Sequence, residues 1–205
     1  MNSTFSHDDV ELLGKKTLYK GFFKMEEYRF KHRLFDGGWS EVVTREVFER
    51  GHAVVVLPYD PVLDKVVLIE QIRIPVLESA VTPWLFELVA GMIDPGQTSH
   101  NVAVKELKEE TGLAAMSVTK VNQFFSSPGG TSERFDFYWA AVDSTSATGH
   151  YGLAVEHEDI KVHVVDRELA YKMTSNGRID NASTVIGLQW LQLNYRDLIH
   201  SHCEK

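Results

Sequence analysis

The chain is short of cysteine, of basic charge and of long apolar runs, and each shortage excludes a class of protein. Its 205 residues include one cysteine, Cys203, so no intramolecular disulfide can form and a reducing compartment is expected. Lysine and arginine number 21 against 29 acidic residues, and the net charge of −8 argues against broad binding to nucleic acid or anionic lipid. No run approaches the roughly 20 apolar residues of a membrane span. The polar start, MNSTFSHDD, lacks the apolar part of a secretory signal, so we expect a cytoplasmic protein with no membrane partner.

The amino-acid composition changes near residue 48, which predicts that the chain has two parts. Residues 1–48 are rich in aromatic and β-branched side chains around a hairpin turn at Asp36-Gly37-Gly38, which predicts a small antiparallel sheet. So short a meander can hardly bury a core, and its apolar face is expected to pack on the main domain or on a second subunit. Residues 49–205 interleave strands with two or three helices, which predicts an α/β sandwich with a mixed sheet.

Apolar runs in the second part predict its individual elements. Strands are expected at 54–58, 65–73, 84–91, 118–125, 135–142 and 160–165. Apolar residues at helical spacing predict a last helix over 182–195. The histidines show no recognised zinc-binding spacing, and His200, His202 and Cys203 are expected to lie in a disordered terminal tail.

Three glutamates mark the most informative segment, between Gly91 and Leu113. At 3.6 residues per turn, Glu106 and Glu110 stand one turn apart on one helix face, with Glu109 to the side. Like charges at this spacing destabilise a helix by about 0.2–0.5 kcal/mol each, and a divalent cation would remove that cost. Carboxylate oxygens suit Mg²⁺ or Mn²⁺. A solvated acidic helix end is the simpler explanation for an isolated ExxEE.

The surroundings of the glutamates favour a metal site over a solvated helix end. An apolar strand leads directly into Gly91, and turn-forming and helix-capping residues then define where the helix begins and ends. They are the turn Pro95-Gly96, the N-cap candidates Thr98 and Ser99, and the closing Gly112.

The segment GMIDPGQTSHNVAVKELKEETGL resembles the signature of the Nudix hydrolases, and the resemblance implies a Nudix-type α/β/α sandwich. Matching positions are Gly91, Glu106, Leu107, Glu109, Glu110, Gly112 and Leu113. Two positions depart from the signature, because its first glutamate is Gln97 here and its arginine is Lys105. In the family this pair buttresses the metal-binding glutamates. A glutamine carbonyl can still accept a hydrogen bond from a lysine, so the geometry can survive without the bidentate charged pair.

Outside the signature the resemblance covers nearly the whole chain and narrows to bacterial ADP-ribose pyrophosphatases. It is carried by FERGHAVVVLPYDP, VVLIEQIRIP, PWLFELVAGMI, SSPGGTSER, GLAVEHEDI and IDNASTVIGLQWLQL, and Pro128 resembles the mark of that group. The resemblance implies Mg²⁺-dependent cleavage of the nucleotide sugar ADP-ribose to AMP and ribose 5-phosphate. Two alternatives stay open. One is hydrolysis of another nucleoside-diphosphate sugar, and the other is a weakened site that senses ADP-ribose without cutting it.

The resemblance also assigns roles in catalysis. Glu106 and Glu110 would hold the metal with Glu109 assisting, and the backbone carbonyl of Ala90 would be a further ligand. A catalytic base must come from elsewhere, because a base needs a lone pair directed at the attacking water. The candidates are Glu156 first, then Glu158 and Glu133. A merely solvated acidic loop is the other explanation of GLAVEHEDI.

Substrate contacts are implied in the same way. Arg73 would grip the diphosphate, and Met92 would also contact the substrate. Arg45 and Glu46 would reach the partner's substrate from exchanged N-terminal sheets, so that a homodimer completes each site. Phe22 would stack on adenine, although an aromatic in a small sheet is more often core.

Overall fold

The computed structural model describes residues 3–203, except the side chains of Glu156 and Cys203. The strands are β1 (Val10–Lys20), β2 (Lys24–His32), β3 (Val43–Glu49), β4 (Ala53–Asp60), β5 (Lys65–Ile72), β6 (Trp84–Glu87), β7 (Val89–Met92), β8 (Ser117–Phe125), β9 (Arg134–Ala141), β10 (His150–Tyr151) and β11 (Ile160–Asp166). The helices are α1 (Ser99–Thr111), α2 (Arg167–Ser175) and α3 (Ala182–Cys203). Contacts divide the chain into a small and a large unit.

The small unit is built on the antiparallel sheet β1-β2-β3. Gly37 and Gly38 adopt φ of 100° and 79°, the left-handed conformations that the predicted hairpin turn requires. The prediction of a small antiparallel sheet is confirmed. Besides residues up to Gly51, the unit includes the later segment Phe125–Glu133. That segment lies along β3, because Phe48 N–H donates to the Gly130 carbonyl over 2.8 Å.

The large unit contains an eight-stranded mixed sheet of order β10-β11-β5-β4-β9-β8, with β6 added to β5 and β7 added to β4. At its centre, β4 and β9 run parallel from Ala53↔Phe135 to Tyr59↔Ala141, whereas the pairs made by β5 are antiparallel. The predicted mixed sheet is therefore confirmed.

Both faces of this sheet are covered, because β4 buries every one of its residues. Val54 and Val56 point to one core with Ala103 and Leu107 of α1. Val55, Leu57 and Tyr59 point to the other, with residues of α2 and α3. A strand buried on both sides reads as a continuous apolar run, which explains the sequence VVVL. The α/β/α sandwich is confirmed. None of the described helices combines the length and apolar character that spanning a bilayer requires.

Two predicted elements were wrong. The expected strand 84–91 is two strands, because β6 pairs with β5 and β7 with β4, and Leu88 between them donates its N–H to Thr184 Oγ1. The expected disordered tail is helical as far as Cys203. There the ring of His202 packs edge-on against Trp139, with 5.5 Å between ring centroids.

Candidate active site

Helix α1 begins and ends where its capping residues predict. Thr98 Oγ1 accepts from Asn101 N–H at 3.3 Å, and Gly112 closes the helix with φ 71°. Gly96 in the preceding turn has φ 88°. These local constraints deliver the last two turns of α1, with their glutamates, to the edge of strand β7.

Glu110 is the most buried of the three glutamates, with 3% of its surface exposed. Its Oε2 accepts from the N–H of Ala90 in β7 at 3.2 Å. Burial raises the pKa of Glu110 well above its ordinary value, the Ala90 N–H opposes the rise, and the charges of Glu106 and Glu158 add to it. Arg73 lowers the same pKa. These effects identify Glu106, Glu158 and Arg73 as the charged neighbours of Glu110.

Glu106 lies directly against Gly91. A Cβ atom on Gly91 would overlap the carboxyl group of Glu106. Burial also raises the pKa of Glu106, against the opposing charge of Lys105. Two carboxylates from neighbouring turns are thus withdrawn from water beside a strand that leaves room for them. A hard divalent cation fits this donor set, because it would offset the cost of burying both charges.

Glu109 is linked to Glu106 by a shared lysine and does not contact Ala90 or Gly91 in the described contacts. Lys105 Nζ lies 3.0 Å from Glu109 Oε2, one turn further along the helix, and 3.4 Å from Glu106 Oε1 of the next residue. Within residues 3–203, as far as side chains are described, no three acidic, histidine or cysteine side chains gather as a metal site. The structure therefore brings together two of the three carboxylates that the spacing predicts.

Gln97 and Lys105 have different hydrogen-bond partners in the structure. Gln97 Nε2 donates to Asp94 Oδ2 at 3.5 Å, and Lys105 bonds the glutamates instead of the glutamine carbonyl. The hydrogen bond that the sequence suggested between these two side chains is absent from the described contacts. The physical reason is that a carboxylate is a stronger acceptor for an ammonium than an amide oxygen.

The loop 152–159 between β10 and β11 holds two described carboxylates, those of Glu158 and Asp159. Glu158 Oε2 accepts from Leu153 N–H at 3.2 Å, and Glu158 N–H donates to the Leu153 carbonyl at 3.3 Å. The side chain of Glu156, the first candidate for the base, lies outside the described residues. Glu158 is the loop carboxylate whose charge raises the pKa values of Glu106 and Glu110.

Arg73 follows β5 and pairs with a residue that sequence reasoning missed. Its Nε lies 2.8 Å from Glu87 Oε2, which also accepts from Gln71 Nε2 at 3.2 Å. Burial raises the pKa of Glu87, and Arg73 opposes the rise. Glu87 could have been singled out from the sequence, because it is a carboxylate inside the apolar run WLFELV. Met92 ends β7 and is 38% exposed.

The small unit contains a cleft of about 610 Å³ that joins predicted residues from distant parts of the chain. It is lined by Arg45 and Glu46 of β3 and by the loop from Pro128 to Ser132. Phe22 does not line it. That side chain lies in the β1–β2 turn, 86% exposed, with its edge against Phe23.

Glu133 also belongs to the small unit, and it is ion-paired. Only 4% of the residue is exposed, and its Oε1 lies 3.0 Å from Arg50 Nε. Its backbone is held as well, because the Glu133 carbonyl accepts from Ser126 N–H. The third candidate for the base is therefore a buried carboxylate with a cationic partner.

Comparison with known proteins agrees with this geometry. The family described as NUDIX domain matches residues 49–182. The chain is 55% identical over 195 residues to the ADP-ribose pyrophosphatase of Escherichia coli K12, covering 95% of this chain and 93% of that one. It is 50% identical over 200 residues to the ADP-ribose pyrophosphatase of Haemophilus influenzae, covering 96% and 92%. A solved structure described as an ADP compounds hydrolase has the same fold, with a TM-score of 0.64 and 22% identity over 92% of this chain and 97% of that one. The chain belongs to the Nudix family.

Proposed function

We propose that this chain hydrolyses the diphosphate bond of ADP-ribose with the help of a divalent cation, Mg²⁺ or Mn²⁺, and releases AMP and ribose 5-phosphate. The observation that carries the hydrolytic part is the pair of neighbouring carboxylates on α1, the buried Glu110 beside Ala90 and the partly buried Glu106 beside Gly91. The substrate is supported by the likeness to ADP-ribose pyrophosphatases over 95% of the chain.

Glu106 and Glu110 would hold the cation, with Glu109 assisting and the Ala90 carbonyl as a further ligand. When bound, such a cation neutralises charge on the phosphate oxygens and lowers the pKa of a water. Gly91 keeps the carboxyl of Glu106 in place by leaving room for it. Lys105 bridges Glu106 and Glu109 and so acts as a positioning residue for both.

Glu156 is the base that we propose. Of the other candidates, Glu158 accepts a hydrogen bond from the backbone of its own loop, and Glu133 is paired with Arg50. Each of these two carboxylates therefore already has a described partner. Glu156 lies in the same loop as Glu158, and there it would take the proton of the attacking water.

We propose substrate contacts in each of the two units. Arg73 would contact the diphosphate, in keeping with its effect on the pKa of Glu110, while Glu87 holds its guanidinium in place. Met92, at the exposed end of β7, would contact the substrate as well. In the small unit, Arg45 and Glu46 line a cleft large enough for part of a nucleotide, and Phe22 offers an exposed ring for adenine.

A homodimer with exchanged small sheets would complete each site. Its support is the exposure of the small sheet's apolar side chains, which is unusual for a protein that acts alone. Examples are Val10, Leu12, Leu18, Tyr19 and Phe22. The cytoplasmic location remains a prediction.

A product assay on a panel of nucleotide sugars tests the proposal. The purified full chain is incubated with ADP-ribose, ADP-glucose or GDP-mannose, with Mg²⁺ or with EDTA, and the nucleotide monophosphate released is measured by chromatography. We expect AMP from ADP-ribose in the presence of Mg²⁺ and none with EDTA. Faster hydrolysis of another sugar would reassign the substrate. Binding of ADP-ribose without release of AMP would instead identify a sensor, the function that the departures at Gln97 and Lys105 favour.

A further inference from the structure

Tyr151 stands at the root of the loop that carries Glu156 and Glu158. It is the last residue of β10, and it pairs with Ile160, the first residue of β11. The two strands therefore close the loop 152–159 at its base. Tyr151 is half-buried and packs against the core on the α1 side of the sheet.

The ring of Tyr151 rests on Gly112, the residue that ends helix α1. A Cβ atom on Gly112 would lie 2.5 Å from Tyr151 Cε1 and 2.6 Å from its Oη, closer than any side chain tolerates. Gly112 is the C-cap of α1, and its φ of 71° also favours glycine. The tyrosine thus contacts bare backbone two residues beyond Glu110.

The remainder of the loop is folded on itself. Gly152 has φ 102°, and a Cβ there would come within 2.8 Å of Glu158 Cβ. Leu153 and Glu158 exchange two hydrogen bonds, one through the Glu158 carboxylate and one through its backbone. The two ends of the loop are thus tied to each other, so its placement relative to α1 depends on how its root is held.

We infer that Tyr151 is a positioning residue whose ring, seated on Gly112, holds the loop 152–159 at a defined distance from the glutamates of α1. The inference rests on the proposed function, because a base on this loop must reach a water held near those glutamates. It applies equally to Glu156 and to Glu158, since both follow the same root. Gly112 then has two roles, to end the helix and to leave space for the ring.

The test compares Tyr151→Ala, Tyr151→Phe and the matched control Tyr171→Ala. Tyr171 is a half-buried tyrosine of α2, a helix that carries none of the site residues. Hydrogen exchange is measured by mass spectrometry on metal-free full-length protein, and ADP-ribose turnover is measured with Mg²⁺. For Tyr151→Ala we expect faster exchange in peptides covering 152–159 and a fall in kcat of about 100-fold, the effect of misplacing a reacting group by about 1 Å. KM should change little, because no proposed substrate contact is altered.

The conservative variant and the control separate positioning from general stability. Tyr151→Phe keeps the ring on Gly112 and should retain most of the turnover and the slow exchange. Tyr171→Ala should affect neither quantity. If Tyr151→Ala leaves kcat or the exchange of 152–159 unchanged, or if Tyr171→Ala matches it, Tyr151 has no positioning role. A wild-type chain that releases no AMP would overturn the proposed function itself, a result distinct from an active wild type with an equally active variant.

Discussion

The two units of the chain are stabilised in different ways. Every described hydrophobic side chain that is buried lies in the large unit, between Ala53 and Leu191. In the small unit the buried residues are the acids Glu26 and Glu133, which pair with Lys15 and Arg50 respectively. One unit has a core on each face of its sheet, whereas the other has strand hydrogen bonds and ion pairs. The comparison teaches that the small sheet needs a further surface to pack against, since a few strands without a buried apolar face are only marginally stable alone.

The proposed chemistry follows the same division. Carboxylates that need burial and a rigid support come from the large unit, on α1 and beside β7. Arg45, Glu46 and Phe22, which would contact the nucleotide, come from the exposed sheet. We therefore expect substitutions of the large unit's carboxylates to change kcat or stability, and substitutions of these three residues in the small unit to change KM.

The largest effect is expected for Glu110→Gln in the large unit. Removing this carboxylate should lower ADP-ribose turnover by at least about 100-fold, beyond what losing an outer partner of a metal site costs. The fold should be preserved, because a buried charge is removed and a glutamine can still accept from Ala90 N–H. Turnover with Mg²⁺ and thermal melting in EDTA are the two measurements. A marked drop in melting temperature would assign Glu110 a structural role instead.

Arg45→Ala tests the small unit in the same assay. Loss of one hydrogen bond to a charged group, about 1.5–3 kcal/mol, corresponds to a rise in KM of roughly 10- to 100-fold. We expect kcat to stay near the wild-type value, because Arg45 would bind the substrate and would not activate the water. Arg29→Ala is the matched control, an exposed arginine of the same sheet that does not line the cleft. A fall in kcat with an unchanged KM would break the division of roles.

Asp60→Asn probes the stability of the large unit without touching its chemistry. Asp60 is 3% exposed and accepts from the N–H groups of Val62 and Leu63 and from both the N–H and the hydroxyl of Ser144. Burial alone would raise its pKa, but these hydrogen bonds outweigh it and lower the pKa below the ordinary 3.8. The variant should lose about 2 kcal/mol of unfolding free energy at neutral pH.

The pH dependence of that loss follows from the sign of the shift. A lowered pKa means that the carboxylate stabilises the fold above 3.8, and that this contribution is lost as the pH falls through the lower value in the folded protein. The difference between wild type and Asp60→Asn should therefore narrow below pH 4 in urea unfolding experiments. A difference that stays constant with pH would mean that the asparagine disturbs packing and not charge.

The smallest effect is expected when the two departures from the signature are reversed together, in Gln97→Glu with Lys105→Arg. A charged bidentate pair would replace two separate contacts and free Glu109 from Lys105. Turnover should stay the same or rise by no more than about tenfold, the lower end of the range for partners of metal ligands. The single variants serve as controls, and a collapse of activity would mean that Gln97 and Asp94 form a different support.

Local signals predicted the elements that local interactions determine. Thr98, Gly96 and Gly112 act within a few residues of themselves, so the beginning and end of α1 could be predicted from them. The split of 84–91 could not, because it depends on which distant strand each half joins. The partners of Arg73 and Lys105 were missed for a related reason, since a side chain's neighbours depend on packing that no spacing rule describes.

The parallel pairing of β4 with β9 also affects the order in which the chain folds during its synthesis. Ala53 pairs with Phe135, so the middle of the main sheet cannot close during synthesis until about 80 further residues have been made. The segment Phe125–Glu133 leaves the tunnel just ahead of that partner, although it belongs with the first 51 residues. The strands β1–β3 are therefore made well before the later segment of their own unit, and their exposed leucines and aromatics are available to a chaperone during that interval.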